Sequence, residues 1–160
     1  MDLAIRNAVN ADIPLLVSLY RDLEGEQVVK KPIWALTDGL DERFELGFHH
    51  AIMDDESWLV VGSIDDVIVG FAWATVDPML HRAGGKRIGR IKLIFTEPEA
   101  RGVGVGHLML ESLLAELRAI GITHFDAPVG PGQRATKNFF EAHGFAARSI
   151  IMHSADTTDG

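Results

Sequence analysis

The feature that most restricts the fold is a glycine-rich run between a strand pattern and a long helix pattern. The run reads Arg101-Gly102-Val103-Gly104-Val105-Gly106. Before it, residues 86–96 show the two-residue period of a strand, in which successive side chains lie on opposite faces. After it, residues 104–120 carry apolar side chains at helical spacing, and residues 123–129 form a further apolar segment. A strand, a helix and a strand in this order predict a βαβ unit with a parallel strand pair.

The remaining segments predict further strands and helices around this unit. Strand patterns cover residues 3–9, 58–64, 67–76 and 145–153, and the two middle ones are joined by a tight turn. A first helix follows Asn10 or Asp12 as its cap and ends at Gly25, and further helices cover residues 38–53 and 133–143. The element order is therefore β-α-α-β-β-β-α-β-α-β. It predicts an α/β (α+β) fold with a mixed, twisted sheet flanked by helices.

The composition fits a single domain. The 160 residues are 47% hydrophobic and 24% charged, and we expect one domain over 1–154 with a polar tail over 155–160. No apolar run is long enough to cross a bilayer, so no membrane association is expected. Because there are no cysteines and no signal-peptide pattern at the first residues, we expect a cytoplasmic location.

Charge is distributed unevenly along the chain. The formal net charge of −8 argues against a nucleic-acid partner. Residues 1–80 carry a balance of −10, whereas residues 81–160 carry +2. One half would then favour a cationic ligand and the other an anionic one, and the alternative is that both are simply solvated faces.

The glycine run predicts a cradle for phosphate. Backbone N–H groups in the first turn of a helix lack partners, and glycines let an anion approach them closely. Arg101 adds a positive charge that can bind phosphate through two hydrogen bonds. The dinucleotide fingerprint fails, because His107 stands where its third glycine belongs, and a Walker loop fails because Arg87 follows Gly85-Lys86.

The segment from Ile94 to Gly106, followed by an apolar helix, resembles the acetyl-CoA-binding motif of the GNAT superfamily of N-acetyltransferases. Segments on both sides are also similar to this family, at residues 3–12, 60–71 and 139–145. The resemblance covers nearly the whole chain and implies the GNAT fold. It implies an N-acetyltransferase that takes acetyl-CoA as co-substrate and acetylates a primary amine of a small molecule or peptide. Dimers are common in the family, so a homodimer is compatible with it.

The resemblance also implies roles for individual residues. The end of the strand at Ile94, Phe95 and Thr96 would hydrogen-bond the pantetheine arm. The backbone of Val103, Gly104, Val105 and Gly106, together with Arg101 and Gly102, would bind the pyrophosphate. Arg134 and Lys137 would contact the remaining CoA phosphate, and the alternative is that they are exposed helix charges.

One position departs from the family pattern. Phe140 stands where the family commonly has a tyrosine that protonates the leaving thiolate, and a phenylalanine cannot donate a proton. Gln133 stands where the family often has an asparagine. The alternative to an enzyme is therefore a non-catalytic acyl-CoA-binding or regulatory module. A third reading is an enzyme that transfers another acyl group.

Candidates for the base that deprotonates the amine are Glu24, Glu26, Asp77 and His81. The more common role for each of these residue types is that of a surface residue with no part in catalysis. The seven histidines show no metal-ligand spacing among themselves, so no metal site is expected.

Overall fold

The computed structural model describes residues 1–30, 40, 43–78 and 86–156. Its strands are β1 (Leu3–Asn7), β2 (Ser57–Ile64), β3 (Val67–Pro78), β4 (Arg87–Thr96) and β5 (Phe125–Asp126). Its helices are α1 (Ile13–Lys30), α2 (Phe44–Met53), α3 (Val105–Ala119) and α4 (Arg134–Ala142). The mixed α/β fold class is confirmed. None of the described helices combines the length and the apolar character that a membrane span needs.

The sheet has the order β1-β2-β3-β4-β5. The first four strands pair antiparallel with their neighbours, and β4 pairs parallel with β5. The hairpin predicted around Asp65-Asp66 is present, and both residues of its turn have positive φ angles. The predicted βαβ unit is also present, as β4, α3 and β5.

Each face of the sheet carries its own hydrophobic core. On one face, α3 contributes Met109, Leu110, Leu113 and Leu117, all fully buried. On the other face, α1 and α2 bury a second cluster against β2, β3 and β4. The principal members of that cluster are Leu16, Leu19, Tyr20, Phe48, Phe71 and Phe95. The sheet is therefore covered on both sides, which is why its central strands are apolar on both faces.

Two helix boundaries differ from the prediction. The first helix does not end at Gly25 but continues to Lys30. Gly25 is exposed and a Cβ there would meet nothing, so this glycine costs only its intrinsic helix propensity of about 1 kcal/mol. Buried Gln27 lies beyond it on the same helix. The second helix begins at Phe44, and the predicted earlier turns fall largely outside the described residues.

The prediction of a last strand over 145–153 is wrong. The structure assigns no strand to the described residues after α4. Ile150, Ile151 and Met152 are each at least 79% exposed, so the apolar run there packs against nothing in the described chain. Phe145, at the start of this segment, packs against Phe140, and Arg148 forms an ion pair with Asp126 of β5. The strand predicted over 123–129 also shrinks to two residues, because β5 leaves β4 at Asp126.

A partly buried ion pair between Arg6 and Asp12 fixes the start of α1 to β1. Arg6 donates from Nη1 and Nη2 to the two oxygens of Asp12, at 2.8 and 2.9 Å. Asp12 Oδ2 also accepts the backbone N–H of Val9 at 2.8 Å. These hydrogen bonds, above all those from Arg6, lower the pKa of Asp12 below its ordinary value. Their effect exceeds that of burial, which raises the pKa.

We expect Asp12→Asn to destabilise the fold by about 1–2 kcal/mol at pH 7, a value kept low because Arg6 is half exposed. Since the folded pKa of Asp12 is lowered, its contribution is complete above the unfolded pKa and is lost as pH falls through the folded pKa. Urea unfolding at pH 7 and below about pH 4 checks this, because the difference from wild type should shrink in acid. The exposed Asp55→Asn is the control. A difference that stays constant with pH would contradict the assignment.

Candidate functional site

One edge of β4 is open over most of its length. On its first side β4 pairs with β3 along the entire strand, from Pro78↔Arg87 to Gly70↔Thr96. On its other side it pairs with β5 only at Gly89 and Arg90. From Ile91 to Thr96 the second edge therefore has no strand partner among the described residues. Unpaired backbone N–H and C=O groups at such an edge can hydrogen-bond an extended ligand.

A β-bulge lies at the point where β5 departs. Trp73 is paired with Leu93 and Ala74 with Ile91, so Lys92 is the extra residue. A bulge bends its strand and takes backbone groups out of the regular ladder. The Lys92 ammonium lies 4.6 Å from the centroid of the Trp73 ring, which holds the bulged side chain toward α1 and α2.

The glycine run lies at the other end of this open edge. Gly102 and Gly104 have φ angles of +87° and +105°, which side-chain-bearing residues rarely adopt. Gly104 is the N-cap of α3 and provides no side-chain cap, and the first turn of α3 contains no acidic residue. The first helical hydrogen bond runs from Leu108 N to the carbonyl oxygen of the N-cap residue Gly104, at 3.0 Å. The N–H groups before it lack helical acceptors, and together with the helix dipole they favour an anion.

Arg101 is held in place by three contacts. Its Nε donates to Thr96 O at 2.8 Å, and its Nη2 donates to Glu26 Oε2 at 2.9 Å. Its guanidinium carbon lies 5.5 Å from the centroid of the Phe95 ring. This residue, expected to bind pyrophosphate, thus joins the end of β4 to α1. Its pairing with Glu26 is not predictable from the sequence, since no local spacing connects residues 75 positions apart.

A cleft beside this pair is mainly acidic. It lies between α1 and the connection from β4 to α3. Its charged lining residues are Arg21, Asp22, Glu26, Glu97 and Glu99. The cleft is at the Thr96 end of β4, and the bulge lies four residues away along the strand. The electric field of these acidic side chains attracts cations toward the cleft.

The predicted α4 residues occupy different environments. Arg134 and Lys137 are exposed, and Lys137 Nζ lies 3.4 Å from Glu141 Oε1. Phe140 is 4% exposed and packs edge-on against Phe139 and Phe145. Gln133 is buried at the start of α4 and accepts a hydrogen bond from Gly130 N through Oε1, at 3.4 Å.

The structure does not bring the base candidates together. Glu24 and Glu26 lie inside α1, toward the Thr96 end of β4. Asp77 lies at the opposite end, where it pairs with Ile88 and its Oδ2 is 2.9 Å from Arg90 Nε. Eight residues of strand separate Ile88 from Thr96, which corresponds to about 26 Å. His81 lies outside the described residues.

Comparisons with known proteins agree with this geometry. The family model described as "Acetyltransferase (GNAT) family" matches residues 17–145. A mycothiol acetyltransferase from Thermobispora bispora is 32% identical over 83 residues, which are 52% of this chain and 28% of that protein. The match therefore spans little more than a quarter of that relative's length.

Solved structures share the fold at low sequence identity. A transcriptional regulator from Bacillus halodurans has a TM-score of 0.78 at 22% identity, over 97% of this chain and all of the other. A predicted acetyltransferase from Clostridium acetobutylicum, solved with acetyl-CoA, has a TM-score of 0.71 at 19% identity, over 96% of each chain. The family model covers most of the sequence, and these structures repeat its fold. The chain belongs to the GNAT family of acetyltransferases.

Proposed function

We propose that this protein transfers the acetyl group of acetyl-CoA to a primary amine of a small molecule or peptide, by direct attack in a ternary complex. The observation that carries the proposal is the continuity of two unpaired backbone regions. The open edge of β4, from Ile91 to Thr96, ends beside the uncapped first turn of α3, where a Cβ at Gly106 would lie 3.9 Å from Thr96 Oγ1. Acetyl-CoA combines an extended amide-containing arm with a pyrophosphate, so both regions match parts of one substrate.

The residues present fit this substrate. The first-turn N–H groups of α3 would take the pyrophosphate, and the space beside Gly102 is open, since a Cβ there would meet nothing within 4 Å. Backbone groups of Ile94, Phe95 and Thr96 would bind the amides of the pantetheine arm. Arg134 and Lys137 are exposed and would contact the remaining phosphate from α4.

The transfer itself needs few protein groups. The neutral amine nitrogen attacks the thioester carbonyl carbon, a C–N bond forms, the C–S bond breaks, and the thiolate leaves with the electron pair. The amine proton passes to a base, directly or through water, for which Glu24, Glu26, Asp77 and His81 are the candidates. A backbone N–H released by the bulge at Lys92 would stabilise the oxyanion.

The acceptor is proposed to be cationic before it is deprotonated. Residues 1–80 carry a charge balance of −10, and Asp22 from this half lines the cleft beside α1 together with Glu97 and Glu99. Such a field raises the local concentration of cations, although it is screened beyond roughly 10 Å at 0.1 M salt.

Calorimetric titration with acetyl-CoA, CoA and NADH tests the donor. Acetyl-CoA and CoA should bind with micromolar affinity, about −8 kcal/mol, and NADH should not. A screen of amines for acetyl-CoA-dependent release of CoA then tests the reaction. If no CoA species binds, the proposal fails.

Substitutions at two glycines with matched geometry distinguish an effect on acetyl-CoA binding from an effect on general stability. Gly102 and Gly121 have φ angles of +87° and +89°, and a Cβ would meet nothing within 4 Å at either. Alanine at each should therefore cost a similar amount of stability, about 1 kcal/mol. Only Gly102→Ala should weaken acetyl-CoA binding, by about 10-fold or more, because its Cβ enters the space of the phosphate. Equal effects of Gly102→Ala and Gly121→Ala on affinity would contradict the assignment.

Phe140 allows a gain-of-function test. Phe140→Tyr should raise turnover, by about 10-fold, because it restores a proton donor at the position that the family commonly uses. Phe139→Tyr is the matched control, since Phe139 is the neighbouring ring and is also packed on its neighbours. Steady-state rates with saturating acetyl-CoA give the comparison. A fall in turnover with unchanged acetyl-CoA affinity would show that this position does not supply the acid.

A non-catalytic acyl-CoA-binding module is the second candidate, and Phe140 is the observation that favours it. Its buried ring places no proton donor at that position. Both candidates require acetyl-CoA binding, so calorimetry does not separate them. CoA release that depends on an added amine excludes the non-catalytic module.

A further inference from the structure

Three side chains that can bind a metal meet where α3 and α4 approach each other. His107 and Glu111 are four residues apart on α3, and His143 is the C-cap residue of α4. Each offers one ligand atom, and these atoms all lie within 4.8 Å of one another. His107 and Glu111 are exposed and His143 is half-buried, so a cation can reach the cluster from solvent.

The hydrogen bonds of His143 orient its ring for metal binding. Its Nδ1 lies 2.8 Å from the backbone oxygen of Phe139. Because a carbonyl oxygen only accepts, Nδ1 must carry the proton, and Nε2 of the neutral ring then has a free lone pair. The Phe139 ring, with its centroid 4.6 Å from that of His143, packs on the imidazole as well. A backbone carbonyl that binds the second ring nitrogen is the usual support of a metal-ligating histidine.

The second histidine faces this lone pair. His107 Nδ1 lies 2.8 Å from His143 Nε2. In the metal-free state one proton must lie between these two nitrogens, donated by His107. If that proton moves to Nε2 of His107, both facing nitrogens present lone pairs to one point. Tetrahedral zinc ligands at about 2.0–2.1 Å from the metal lie roughly 3.3 Å apart, so the rings need to separate by only about 0.5 Å.

Glu111 completes the set from the same face of α3 as His107. Residues four apart on a helix are neighbours on its surface. The donor set is then two imidazole nitrogens and one carboxylate oxygen, with a further position open to solvent. Such a set suits borderline divalent ions such as Zn²⁺ and is unsuited to Mg²⁺ or Ca²⁺, which prefer oxygen ligands.

We propose that His107, Glu111 and His143 form a binding site for one Zn²⁺-type divalent cation between α3 and α4. The site adjoins the proposed phosphate cradle, since His107 lies in the first turn of α3, but it uses the His107 side chain and not its backbone N–H. It adds a cross-link between the helix that begins at the glycine run and α4. This proposal departs from the expectation that the chain holds no metal site. That expectation considered only spacing between histidines. The signal in the sequence is the His107-x-x-x-Glu111 pair, and only the fold brings His143 to it.

The test uses the full chain without a histidine tag and without acetyl-CoA, so its result does not depend on the proposed function. Calorimetric titration with Zn²⁺ should show one saturable site per chain. His107→Ala, Glu111→Ala and His143→Gln should each weaken this binding by about 10- to 100-fold or more. His50→Ala is the control, because His50 is exposed on α2 and outside the cluster. Titration with Co²⁺ should also give visible absorption bands that the three variants lose and His50→Ala keeps.

Far-UV circular dichroism establishes that each variant is folded. The proposal is overturned if Zn²⁺ binds more weakly than about 1 mM, or if all three folded variants bind it as the wild type does. If only the histidine variants lose affinity, the role of Glu111 is overturned.

Discussion

The proposed site depends on backbone N–H and C=O groups of β4 that have no hydrogen-bond partner in a neighbouring described strand. Polar backbone groups require partners, and β4 finds them in β3 along its whole length but in β5 at only two residues. The edge from Ile91 onward is left open to a ligand. The bulge at Lys92 lies immediately after the last pair with β5, so the strand bends where its second partner leaves it. This single divergence of two parallel strands creates the open edge that we propose binds acetyl-CoA.

Packing of α3 keeps its first turn in a fixed position relative to the open edge of β4. Met109, Leu110, Leu113 and Leu117 are fully buried against the sheet, so the N-terminus of α3 cannot shift without disturbing the core. Close contact between the strands contributes too, since a Cβ at Gly70 would lie 2.6 Å from Phe95 O. The positively polarised helix end is therefore held beside the final residues of β4. In the proposed complex, the extended arm of acetyl-CoA would lie along β4 while its pyrophosphate reaches the end of α3.

Regular elements with strong periodicity were predictable from the sequence. Local sequence patterns predict the apolar stripe of α3, the Asp65-Asp66 turn and the parallel pairing of β4 with β5. Gly25 misled the prediction of α1, because a single exposed glycine weakens a helix without ending it. The apolar run near Ile150 misled the prediction of a last strand, because an apolar segment does not reveal whether a partner strand is available. Contacts such as Glu26 with Arg101 depend on the fold alone.

The central claim is that the open edge of β4 and the first turn of α3 bind one molecule of acetyl-CoA. Amide hydrogen exchange, with and without acetyl-CoA, tests it most directly because it reports on these backbone N–H groups themselves. Exchange should slow in peptides that cover residues 91–96 and 102–107, and should stay unchanged in β1 at residues 3–7. Unchanged exchange in the first two segments at saturating acetyl-CoA, or slowing confined to other parts of the chain, would contradict the account.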